Sequence, residues 1–282
     1  MKRFPNGVRS YIKWRLRRIS AFFVKVDSPS QAVKPAAQPV VKTPAPEPAD
    51  KYCIVCDNPV HKFIPLDYEI ELFHIHHVIG GGLSPNCICP SCNAYDRERW
   101  IHYVLKNKLH LYEASGRVLH FAPERVLLKF MSQSKNIDYY TCDITPGRAM
   151  HIVDITDIQF RDNTFDYVIC NHVLEHIPDE QKAISEVLRV LKPDGKWIFS
   201  FPICTDMQTY EDPTVVSEED RLQRFGQEDH VRLYGYDYKE RFEAHGLNLE
   251  FFSPQDELSA EEIEKYGFIP DDVIIVATKH QS

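Results

Sequence analysis

"DITDIQFRDNTFDYVICNHVLEHIPDEQKAISEVLRVLKPDGKWIFSFP", residues 154–202, holds two apolar runs separated by one helical repeat. The first run, "TFDYVICN", is short, rich in β-formers and bounded by turn residues, so it predicts a buried strand. Next comes "PDEQKAISEVLRVLKPDGK". Pro178 and Asp179 suit a helix start, Ile184, Val187, Leu188 and Leu191 fall on one stripe, and Pro193 with Gly195 mark the end. "WIFSFPI" then predicts a second buried strand. A strand, a helix and a strand in this order build a parallel sheet covered by helices. Ligands of such sheets bind at the carboxyl ends of the strands, near the point where the strand order reverses.

The same alternation extends in both directions. Upstream stand "RVLHFA" (117–122), the helical "RVLLKFMSQS" (125–134), "IDYYTCDI" (137–144) and "AMHIVDIT" (149–156); downstream stand "LEFFSP" and "DDVIIVATK". The loops after Phe121, Cys142, Val153 and Cys170 therefore line the expected site. Asp143 follows Ala122 by 21 positions, close to the roughly 20-residue offset at which an acid ending the second strand reaches ribose hydroxyls. An adenosine cofactor is the expectation.

An acid after the third strand, "DNTFDYVI", "NHVLEH" and a helix closing on "RVLKPDG" stand here in one order and spacing. On these motifs residues 116–280 resemble the class I S-adenosylmethionine-dependent methyltransferases. The resemblance implies an α/β fold, a Rossmann-like sheet of seven strands ending in an antiparallel hairpin. A narrower resemblance is to bacterial methyltransferases that carry an N-terminal zinc ribbon and read "LHFAPE" where most of the family has an acid-x-glycine-x-glycine turn. That departure bears on cofactor affinity, because glycines let bare backbone approach the ligand. It also argues against a nicotinamide dehydrogenase, whose pyrophosphate depends on those glycines. A degenerate turn on a catalytically inactive, zinc-containing interaction module is the competing expectation.

Carried over residue by residue, the resemblance implies that Ala122 and Pro123 form the turn and that Glu124 offers a carboxylate to the cofactor's ammonium group. Asp143 would hold the ribose, Asp154 and Ile155 would frame the adenine, and Asn171 with His172 would sit beside the sulfonium end. Methyl transfer is an in-line displacement, so the protein supplies alignment and, for a hydroxyl acceptor, a base. His172 and His230 are the candidates for that base. His230 belongs to "GQEDHVRLYGYDY", an insertion before the "KERFEAHGL" helix, where Arg232 and Tyr234 are candidates for binding an anionic or sugar acceptor. Glu175 and His176 are expected to start and brace the helix after "NHVLEH".

Residues 51–112 read as a separate module. "CIVC" supplies Cys53 and Cys56, and "CICPSC" supplies Cys87, Cys89 and Cys92. Two CxxC pairs, Cys53/Cys56 and Cys89/Cys92, can clamp one tetrahedral ion, and zinc is expected there in a closed structural site. Cys87 could replace Cys89. His61, His74, His76 and His77 lie between the pairs, but "FHIHHVIGGGL" reads as a strand and a turn rather than a ligand set. Trp100, Ile101, Val104, Leu105 and Leu109 form a helical stripe that should pack the module against the sheet.

Length and charge complete the reading. The 282 residues are 43% hydrophobic, enough for one α/β domain, 113–282, plus a small appendage. Eight of the 33 basic residues fall within the first 26 positions, where there is no acid, so the body carries all 41 acidic residues. Residues 1–27 read as a basic amphipathic arm suited to peripheral contact with an anionic membrane surface; a disordered tail or a protein-docking helix are the other readings. An acidic body argues against nucleic acid. Residues 28–50, with six prolines, read as an extended linker. Cysteines inside apolar strands and the lack of a cleavable signal point to the cytoplasm, with the arm at the membrane face. The arm and the zinc-ribbon resemblance favour O-methylation of a sugar in a cell-surface glycan or related metabolite; protein or small-molecule methylation is the second expectation. Oligomeric state leaves no trace in the sequence.

Overall fold

The computed structural model describes residues 49–66, 70–81 and 84–280. The predicted arm (1–27) and nearly all of the linker lie outside the described residues. Five short strands come first: β1 (Lys51–Cys53), β2 (Asn58–Val60), β3 (Ile64–Leu66), β4 (Val78–Ile79) and β5 (Ser84–Ile88), with α1 (Glu71–Ile75) before β4. Helix α2 (Asp96–Tyr103) leads into a wider turn over Val104–Lys108. Then follow β6 (Gly116–Phe121), α3 (Arg125–Met131), β7 (Ile137–Asp143), β8 (His151–Ile152), β9 (Phe165–Asn171), α4 (Glu180–Val190) and β10 (Leu191–Ser200). The chain closes with β11 (Ile203–Cys204), β12 (Tyr210–Glu211), α5 (Glu218–Phe225), β13 (Arg232–Leu233), α6 (Tyr238–Glu243), β14 (Leu247–Phe252), α7 (Pro254–Glu257), α8 (Ala260–Tyr266) and β15 (Ile274–Lys279).

Seven strands form one sheet in the order β14-β15-β10-β9-β6-β7-β8. Neighbours from β10 to β8 pair in parallel, and β15 alone runs antiparallel, to both β10 and β14. The order reverses at β6 and β9, which places the switch point at their carboxyl ends. This is the Rossmann-like seven-stranded arrangement that the motifs implied.

Strand alternation explains the layers. Leu119, Phe121, Val168, Cys170, Trp197 and Phe199 face one core with Ala183, Ile184, Val187 and Val190 of α4. Their neighbours Val118, Ile169, Ile198 and Val276 face a second core. There they meet Trp100, Ile101, Val104 and Leu105, the predicted stripe, together with Cys53, Val60 and Phe63 of the N-terminal module. The module is thus part of the second layer over the sheet. Trp100 fixes the joint: its Nε1 donates to the Phe252 carbonyl at 3.2 Å, and its ring stacks on Tyr103 at 5.3 Å.

Two local expectations change. Helix α4 is capped by Asp179, which accepts from the Lys182 amide at 3.0 Å, but it stops at Val190. Leu191, expected on its stripe, already belongs to β10 and pairs with Phe165. Phe73 to Ile75 lie in α1, not in a strand, and only Val78–Ile79 of that stretch is extended, paired with β11.

Candidate functional site

Two non-glycine residues with left-handed backbone stand at the carboxyl ends of adjacent strands, Ala122 (φ 49°) after β6 and His172 (φ 51°) after β9. Such conformations cost about 1–2 kcal/mol each for residues with a Cβ. Both are held by backbone bonds from neighbouring strands: the Ala122 amide donates to Cys142 at 2.8 Å and the His172 amide to Ser200 at 2.8 Å. The first turn therefore keeps the left-handed shape that glycine normally supplies, with Pro123 next and Glu124 at the N-cap of α3. The Glu124 carboxylate lies 2.8 Å from Nε2 of His120, a buried residue on β6. The strand thus carries an imidazole where the family pattern has an acid, and an acid returns to it from one turn later.

The predicted cofactor residues stand at or just after the carboxyl ends of β7, β8 and β9. Asp143 ends β7, is 4% exposed, and accepts from the Thr145 amide at 2.8 Å. Asp154 follows β8 and accepts from the amide and the hydroxyl of Thr156, both at 2.8 Å, while Ile155 is buried beside it. Asn171 ends β9; its Oδ1 accepts from the Ser200 hydroxyl at 3.3 Å and its buried Nδ2 has no hydrogen-bond partner. The N-terminal module roofs this end of the sheet. β4 pairs with β11 directly after β10, and a Cβ on Gly80 would lie 3.8 Å from Cε1 of His172. Asp272, behind Gly80, has its carboxyl pushed up to about 7 by burial and by Asp96 of α2.

His172 opens a buried polar network that the sequence reading missed. Its Nδ1 lies 3.2 Å from Oε1 of Glu175, and burial, with the charge of Arg97, lowers its pKa. Burial opposes ionisation of Glu175, yet His172, His176 and His230 together bring it down to about 2. Nδ1 of His176 faces Oδ2 of Asp229 at 3.3 Å, and its ring meets that of His230 edge-on at 4.7 Å. Nδ1 of His230 donates to the Phe225 carbonyl at 3.1 Å, and burial with His176 pushes its pKa down to about 4. Glu175 and His176 form their own 3₁₀ turn (Leu174–His176) rather than starting α4.

Three site expectations acquire different surroundings. His230 is 2% exposed and enclosed by the network, so His172 is the histidine left at the strand end. Arg232 is 1% exposed; its guanidinium donates to the carbonyls of Leu174 and Ile177 at 2.6 Å and pairs with Glu211 at 3.1 Å. Tyr234 is fully buried, its hydroxyl donating to Glu180 at 2.5 Å. Arg232 staples the insertion to the turn before α4 and Tyr234 staples it to the first residue of α4, and neither presents its polar group to an acceptor.

Cys53, Cys56, Cys89 and Cys92 bring their four Sγ atoms within 4.8 Å of one another. Burial pushes the Cys53 thiol up, and that of Cys92 to about 11, whereas, against the effect of burial, hydrogen bonds from the Cys92 and Ser91 amides hold the Cys89 thiol below its ordinary value. Cys87 lies outside the cluster, its thiol directed at Asp96 at 3.8 Å. His61, His76 and His77 are not part of it; His76 and His77 pair with Asp206 and Asp271.

Residues 111–199 match the sequence pattern of the methyltransferase domain family. Over that stretch the chain is similar to a methyltransferase domain. Over 75 residues the chain is 35% identical to the uncharacterized methyltransferase YcgJ of Bacillus subtilis, covering 27% of this chain and 28% of that one. Over 89 residues it is 33% identical to demethylmenaquinone methyltransferase of Lactiplantibacillus plantarum, covering 30% and 35% of the two chains. The crystal structure of the Bacillus YcgJ protein superposes with a TM-score of 0.43 at 17% identity, over 64% of this chain and 100% of that chain. The matched stretches span only about a tenth to a third of such curated relatives.

Proposed function

We propose that the protein is an S-adenosylmethionine-dependent methyltransferase that O-methylates a sugar of a cell-surface glycan or a related metabolite. The observation that carries the cofactor half is the placing of the left-handed Ala122 turn, Asp143 and Asp154 after the carboxyl ends of β6, β7 and β8, which lie side by side in the seven-stranded sheet. Ala122 and Pro123 would take the methionine part and Glu124 the ammonium group. Asp143 would take the ribose, Asp154 and Ile155 the adenine, and Asn171 with His172 the sulfonium end. When bound, the cofactor supplies an electrophilic methyl group. The protein aligns an acceptor with it, and His172 is the base for a hydroxyl acceptor. A structural zinc in the four-cysteine set and peripheral membrane contact through the arm belong to the same proposal, which places the protein on the cytoplasmic face. Methylation of a small, non-glycan molecule is the second reading, supported by the small-molecule names among the relatives.

The test is titration of S-adenosylhomocysteine into the purified protein by calorimetry. Saturable binding is expected, weakened at least tenfold by Asp143→Ala. No binding at millimolar ligand in a folded sample would leave the inactive-module reading in its place. Labelled methyl recovered in an organic-solvent lipid fraction, rather than in a water-soluble one, then separates the glycan reading from the small-molecule reading.

A further inference from the structure

We infer that Glu175, His176 and His230 form a second metal site, distinct from the cysteine cluster, that takes a divalent first-row transition ion. One donor atom from each of the three lies within 4.8 Å of the other two. Two histidines and one carboxylate are a donor set for zinc, iron or manganese rather than for magnesium or calcium, which prefer oxygen alone.

The surroundings of the three residues are those of ligands. Glu175 is 1% exposed; Oε1 is engaged by His172, and Oε2 is buried without a hydrogen-bond partner. A buried carboxylate oxygen with no partner costs several kcal/mol unless something not yet placed compensates it. The Nδ1–H of His230 is committed to the Phe225 carbonyl, which fixes the neutral tautomer with its lone pair on Nε2. The Asp229 carboxylate lies 3.3 Å from Nδ1 of His176, as in the carboxylate–histidine pairs that orient metal-binding imidazoles. The Val231 amide donates to the Glu175 carbonyl at 2.9 Å, so the insertion that brings His230 is tied to the turn that brings Glu175 and His176. Metal–ligand bonds of about 2.1 Å separate donors by roughly 3–3.5 Å, so rotation of side chains by about an ångström closes the set on an ion.

The site adjoins His172, at the strand end where a methyl acceptor would stand. An ion here would fix Glu175 against Nδ1 of His172 and so orient that base. This role rests on the methyltransferase reading; the site itself does not.

The experiment uses the full chain and zinc alone, with no cofactor present. Protein equilibrated with buffered micromolar free Zn2+ is assayed for zinc per chain and examined by X-ray absorption at the zinc edge. Two zinc ions per chain are expected, with a sulfur shell from the cysteines and a nitrogen/oxygen shell showing imidazole scattering. Glu175→Gln and His230→Gln should each remove one equivalent and the imidazole signal while retaining the sulfur shell. A wild-type spectrum with sulfur ligands alone, or variants that keep both equivalents, would overturn the inference. If both variants fail to fold, the wild-type spectrum decides by itself. Loss of S-adenosylhomocysteine binding leaves this result untouched, so the two proposals fail separately.

Discussion

Strands β1 to β5 are two to five residues long, whereas β6, β7, β9 and β10 run for six to ten. The long strands bury alternate side chains on two faces and are covered by helices, so apolar burial alone sustains them. The short ones cannot do this. Val55, Val60 and Phe63 form no cluster of their own and join the one that holds Ile169, Ile198 and Val276 of the sheet. The module is therefore held at two points, around the four-cysteine set and at the Trp100 helix.

The most damaging test breaks the four-cysteine set. In the proposed zinc site Cys92→Ser would leave three thiolates around an ion that needs four donors, and structural zinc sites contribute on the order of 10 kcal/mol to folding. The expected outcome is loss of one zinc equivalent and rapid amide exchange across residues 51–92, with the sheet amides still protected. Unchanged zinc content would defeat the four-thiolate assignment. Exchange spreading into β6 and β9 would show that the sheet depends on the module, which would reverse the comparison.

The next test weakens the joint at the Trp100 helix. Trp100→Ala empties a site that is 1% exposed and deletes the bond to Phe252, a change that costs about 3–5 kcal/mol in well-packed cores. Because the module and the sheet share one core, calorimetry should show a single transition at lower temperature. Two resolved transitions would mean that the module folds as a unit of its own.

The same contrast explains what could be read from the sequence. The sheet was legible because period-two apolar runs and turn residues are local signals, and the cysteine cluster was legible because each CxxC pair is contiguous. The end of α4 was not. The Leu188 and Leu191 spacing fits a helix, but Pro193 lacks an amide hydrogen and its ring opposes the carbonyl of Arg189, so the chain turns extended before it. α1 escaped notice because its five residues have no side-chain cap and resemble strand alternation. Arg232 carried no signal for its role, since its partners are main-chain carbonyls 55 and 58 positions away. Glu175, His176 and His230 were visible one by one, but their meeting depends on how the insertion folds back.

The smallest expected effect probes the turn on which cofactor binding depends. Ala122→Gly keeps the backbone path and removes a Cβ from a residue at φ 49°. Relief of left-handed strain is worth about 1–2 kcal/mol, and the greater freedom of glycine in the unfolded chain returns roughly 0.5–1 kcal/mol. Only about 8% of Ala122 is exposed, so its methyl also contributes some packing, which reduces the gain further. A net stabilisation of about 0.5–1 kcal/mol is expected, seen as a rise of 1–3 °C in the thermal midpoint, with affinity for S-adenosylhomocysteine equal to or above that of the wild type. A fall in both would mean that Ala122 is held by its methyl contacts rather than strained by them. The "HFAPE" turn would then be a different solution to cofactor binding from the glycine turn, supported by the pairing of His120 with Glu124 instead of by backbone freedom.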